Sequence, residues 1–150
     1  MPAPRNVEVR VILTPSGDPK WRIDSPLLED GKLVFRNNGH PGFHVFFVIE
    51  DPENSGYQFP DDEDAALAAT PVAESQGTVC PRQGVSWNQF KPMAVLKNEG
   101  RNTTLKVHNP NAKGQESEFR YTLFLTLQPA AGDPYWELDP GGLNKNGSTS

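Results

Sequence analysis

The chain has 150 residues, enough for one domain with a buried core. Its net charge of −5 argues against the clustered Lys and Arg that a phosphate backbone requires, so nucleic acid is not an expected partner. No apolar run can cross a bilayer, the N-terminal stretch lacks the apolar core of a signal peptide, and a single cysteine, Cys80, excludes an internal disulfide. The expected location is the cytoplasm, with no membrane partner.

Proline and glycine recur along the whole chain and cut it into short elements. Residues 7–13 (VEVRVIL) alternate, with Val7, Val9, Val11 and Leu13 on one face and Glu8, Arg10 and Ile12 on the other, as in a half-buried strand. Residues 20–23 are a weak strand signal, and 32–37 (KLVFRN) a stronger one. The run 43–50 (FHVFFVIE) is the most apolar and predicts a central strand buried on both faces. Only 61–69 (DDEDAALAA) predicts helix: Asp61 or Asp62 can cap it, acids suit its first turn, and Pro71 bounds it. Residues 78–80 are a second weak strand signal. Strands follow at 92–98, 103–109, 117–128 and 135–138, with turns at 98–102 and 110–116. In 117–128, Phe119, Tyr121, Leu123, Leu125 and Leu127 form an apolar face, and Arg120, Thr122 and Phe124 point the other way.

Short strands separated by turn signals predict an all-β protein, an antiparallel, immunoglobulin-like β-sandwich with at most one short helix, near 62–69. The expected centre includes Val9, Val11, Phe35, Val45, Phe47, Ile49, Leu105, Val107, Tyr121, Leu123 and Leu125. One domain spans 1–140, and the glycine-rich polar segment 141–150 reads as a mobile tail.

A sandwich with His40, His44, Cys80, Met93 and His108 invites a blue-copper reading. That site draws its cysteine and one histidine from a single short loop, and no histidine lies between Cys80 and Met93. The acidic run 61–64 lacks the spaced ligands and glycine of a calcium loop. In GHPGFH (39–44), His40 and His44 flank a Pro-Gly turn and can line a pocket, but the turn alone explains the Pro and Gly. No nucleophile elbow or phosphate loop is present. Neither a metal nor a cofactor is expected.

Asp-Pro pairs are over-represented. Nine Asp and 15 Pro in 150 residues predict about one such pair, and there are four: Asp18-Pro19, Asp51-Pro52, Asp133-Pro134 and Asp139-Pro140. Turn chemistry covers the first three. The fourth closes a strand. An Asp carboxyl can attack its own peptide carbonyl through a five-membered ring, proline nitrogen is a basic leaving group, and the missing N–H closes the succinimide route. Near neutral pH the reaction needs a carboxyl kept protonated and a polar neighbour to move protons. If Trp136 and Leu138 face the core, Tyr135, Glu137 and Asp139 face outward with Arg120 and Thr122. Glu137 or Asp133 is then the partner carboxyl, Arg120 the electrostatic stabiliser, and Asp139-Pro140 the reacting link. A surface ion pair on a hairpin is the plainer reading of the same residues.

The stretch EFRYTLFL followed by YWELDPGGLN resembles the DP-EP family of bacterial proteins, with Asp139, Pro140, Leu143 and Asn144 in the motif positions. The layout from LVFRNNGHPGFHVFFVIEDP to the final strand is loosely similar too. The resemblance implies a β-sandwich Asp-Pro endopeptidase, a hydrolase that cuts itself near the C-terminus. The chain departs from it at Gly141 and Gly142, where a continuing strand prefers β-branched residues, and at Arg120, where a lysine would trap the acyl group and arginine does not. The other reading is a binding or assembly module without self-cleavage, including a homo-oligomer, with Trp21, Tyr57 and Trp87 as its candidate contact residues.

Overall fold

A computed structural model of the chain describes residues 5–36, 42–72, 81–111, 117–130, 135–138 and 140–145. Its strands are β1 (Arg5–Leu13), β2 (Trp21–Asp24), β3 (Leu28–Glu29), β4 (Lys32–Arg36), β5 (Phe43–Glu50), β6 (Leu67–Pro71), β7 (Lys91–Asn98), β8 (Arg101–Asn109), β9 (Ser117–Thr126), β10 (Tyr135–Leu138) and β11 (Gly141–Lys145). One sheet has the order β2-β1-β5-β8-β7, and the other holds β3, β4, β6, β9, β10 and β11. The all-β expectation holds, but the sheets are mixed: β1 runs parallel to β5, and β11 parallel to β4.

The strands form where apolar residues recur at every second position. Along β5, Phe43, Val45, Phe47 and Ile49 are buried, while His44, Phe46, Val48 and Glu50 are half-buried. This strand is central, as expected, yet only one of its faces is fully buried. All eleven residues of the expected centre lie in the core. Rings join the two sheets there: Phe47 of β5 lies 5.7 Å from Tyr121 of β9, and Phe90 lies 4.9 Å from Phe119. The expected Leu127 is instead past the end of β9 and exposed.

The helix expected near 62–69 is a single 3-10 turn, Glu63–Ala65. Asp62 caps it, its carboxylate accepting from the Asp64 N–H at 3.0 Å. The alanine-rich remainder is β6, lying along β9 with Leu67 opposite Leu123 and Pro71 opposite Phe119. Ala66, Ala68 and Ala69 are fully buried. Small side chains let this segment sit close to its neighbours, and tertiary contact overrides helix propensity. The weak strand at 78–80 and Cys80 lie outside the described residues.

The segment expected as a tail begins with a strand. β11 pairs with β9 from Gly141 opposite Arg120 to Asn144 opposite Ser117, and with β4 from Gly141 opposite Lys32 to Lys145 opposite Arg36. Alternation does not announce it, because two glycines open it.

The β7 edge carries Lys91, Pro92 and Lys97 and two register irregularities, a form that discourages pairing with another chain. Where β5 begins, Gly42 has φ +119°, and a Cβ there would lie 2.7 Å from the Asn109 carbonyl oxygen. Gly42→Ala is therefore expected to destabilise the fold by about 2–4 kcal/mol, read as a lower urea midpoint with an unchanged slope.

Candidate functional site

The C-terminal segment runs along one edge of β9 in a single register. Leu138 of β10 pairs with Leu123, and Gly141 of β11 pairs with Arg120. Two residues lie between these pairs on each strand. β6 occupies the opposite edge of β9, since Leu123 and Phe119 pair with it as well. Pro140 is buried, and its carbonyl accepts the Tyr121 N–H at 3.5 Å.

From Thr122 to Thr126 the face of β9 turned away from the core is not open to water. Thr122, Phe124 and Thr126 are buried, and the Thr122 hydroxyl donates to the Pro81 carbonyl at 2.9 Å. The segment after Pro81 is tied to the same sheet, because the Ala69 N–H donates to the Val85 carbonyl and the Gln83 amide to the Ala65 carbonyl. Sequence alternation locates this face but not what covers it.

Arg120 is half-buried on this face, between Thr70 of β6 and Gly141 of β11. Its Nε is buried and has no hydrogen-bond partner. A buried guanidinium N–H in that state is uncommon and asks for an acceptor. Glu137 is exposed, opposite Phe124. It shares the outward face with Arg120, but four strand positions separate them, about 13 Å, and no ion pair joins them among the described residues. Asp133 and Asp139 lie outside the described residues.

Two of the other Asp-Pro pairs are turn elements. Asp18-Pro19 sits in the β1–β2 connection. Asp51 follows β5, and its carboxylate accepts from the Ser55 N–H and hydroxyl and the Gly56 N–H at 2.8–2.9 Å, with Arg101 3.7 Å away. Burial raises its pKa, but these hydrogen bonds and the Arg101 charge outweigh it, and the net shift is downward. A carboxylate held ionised by its own turn is a poor acid.

Trp21, Tyr57 and Trp87 are half-buried and packed on the core, with Tyr57 5.2 Å from Trp136 and Trp87 5.2 Å from Phe119. They do not form a free aromatic surface. The histidines are arranged differently from the expected turn pocket. His40 lies outside the described residues, whereas His44 of β5 stands opposite His108 of β8, ring centroids 5.3 Å apart. His108 also borders a cleft of about 490 Å³ with Glu63, Asp64, Asn88, Lys91, Pro92 and Met93. No group of three or more His, Cys, Asp or Glu suited to a metal occurs among the described residues.

Both histidine pKa values are lowered, first by burial and then by the nearby Lys106 charge; His108 adds to the effect on His44. The folded state therefore binds protons less readily than the unfolded chain. Stability is intact above the ordinary histidine pKa near 6.5 and falls as pH drops below it toward the folded values. Thermal melts from pH 8 to 5 are expected to show this fall, and the double variant His44→Gln, His108→Gln to flatten it.

No family model matches the chain, and no curated protein is similar to it.

Proposed function

We propose that the protein slowly cleaves its own chain between Asp139 and Pro140. The observation that supports this reading is the pairing of the flanking strands with β9, Leu138 opposite Leu123 and Gly141 opposite Arg120, which leaves two residues on each strand between them. On that register Asp139 would stand on the face of Arg120, whose orphaned Nε is the donor a carboxyl there would use. The buried Thr122 and Pro140 provide a water-poor setting.

The chemistry is an intramolecular acyl transfer followed by hydrolysis. An Asp139 carboxyl oxygen attacks its own peptide carbonyl carbon, forming a five-membered anhydride. The Pro140 nitrogen takes a proton and leaves as a secondary amine. Water then opens the anhydride and restores Asp139, now with a free α-carboxyl. Arg120 steadies the developing negative charge and contributes no nucleophile. Glu137 is too far along the strand to relay protons to Arg120, so the reading gives Asp139 the main role. The resemblance of this segment to Asp-Pro self-cleaving β-sandwiches supports the same residue.

Denaturing intact-mass measurement over weeks at several pH values tests this. The expected products are 1–139 and 140–150. Asp139→Asn should slow the cut by roughly 100-fold or more. Asp133→Asn should leave its position unchanged. Arg120→Ala should alter the rate and its pH dependence, because it removes the local positive charge. Persistent full-length mass, or cutting spread evenly over all four Asp-Pro links, overturns the reading and leaves an immunoglobulin-like binding or assembly module.

A further inference from the structure

β11 is an interior strand. β9 holds one of its edges and β4 the other, and among the described residues β4 is otherwise paired only with the two-residue β3. Through backbone strand pairing, β3 and β4 join the rest of their sheet by way of β11 alone among the described residues. One ion pair also passes across it: Lys32 of β4 reaches Glu118 of β9, Nζ to Oε2 2.7 Å. Lys32 stands opposite Gly141, and Glu118 opposite Leu143. At position 141 there is no side chain to stand in the way of that reach.

We propose that the gap between β4 and β9 is a peptide-binding slot, selective for an extended strand with glycine beneath the Lys32–Glu118 clasp, and that it retains 140–150 after the Asp139-Pro140 link is broken. The inference rests on the self-cleavage reading for how the link breaks in nature. Its physical basis is separate. A strand paired on both edges cannot peel away from an open rim, since leaving requires β4 to part from β9 and exposes unpaired ladder groups on both. The glycines that weaken β11 as an isolated strand serve the slot by letting the clasp close. Both clasp side chains are more than 40 % exposed, so the pair adds selectivity and salt sensitivity more than strength.

The test uses the full chain, nicked in two ways: by ageing, and by a site-specific protease whose recognition sequence is inserted between Asp139 and Pro140 and cut after folding. Native gel filtration followed by denaturing mass should find both pieces in one peak. Labelled synthetic peptide 140–150 should exchange into the nicked protein, and the same peptide with Gly141→Leu at least tenfold less. Glu118→Gln should hasten fragment loss severalfold at low salt and little at high salt. In the uncut native chain, amides 142–145 should exchange with solvent as slowly as those of β9. A fragment eluting alone, equal uptake of both peptides, or amide exchange at the rate of an unpaired peptide overturns the slot. An aged chain that stays intact counts against self-cleavage alone, because the protease-cut chain and the exchange measurement still decide retention.

Discussion

A strand with both edges satisfied needs neighbours on each side for its whole length, and β9 imposes that requirement on this fold. Its inward residues Phe119, Tyr121, Leu123 and Leu125 are fully buried and form much of the contact with the opposing sheet. Such a strand cannot leave a row of N–H and C=O groups unpaired within the sandwich. On one edge β6 meets the need, using alanines that fit beneath the covering segment from Pro81. On the other, β10 and β11 meet it in turn, in one register.

Strands with strict alternation were legible from residues alone. β1, β5, β8 and β9 each place branched or aromatic side chains at every second position, and the burial of Val9, Phe47, Val107 and Leu123 follows from that pattern. β6 and β11 were not legible, for opposite reasons. The alanines of β6 favour helix, and only their fit against β9 makes them a strand. The glycines of β11 favour no element, and their place depends on β4, more than a hundred residues earlier. The parallel pairs escaped for the same reason, since strand direction is not written in any local period. At the site, alternation placed Glu137 and Arg120 on one face correctly. It could not show that the register sets them four positions apart, nor that Arg120 would keep a buried Nε without a partner.

Charge is distributed by local need rather than as a field. Arg10 is shared by Asp24 and Glu50 across β2, β1 and β5, and Arg36 is bound by Glu29. Asp51 closes a turn, and Lys32 reaches Glu118 over β11. These cations have carboxylates within reach. The guanidinium of Arg120 differs in kind, with a nitrogen buried and unpartnered beside the strand that carries the link. A group in that state is either a cost tolerated for packing or a donor with a task.

The pairing of β4 with β11 also sets the order in which the protein can assemble. Lys32 finds its parallel partner in Gly141, 109 positions further on. On the ribosome, β4 must wait, one edge unmatched, until the residues up to β11 have followed it. The first sheet has its strands by residue 109, so it can form during synthesis, whereas the second closes only afterwards. Pairings this remote in sequence carry a large loop-closure cost and belong to the slower folding topologies. Any chemistry that depends on the closed second sheet is thereby deferred until translation has passed the residues that close it.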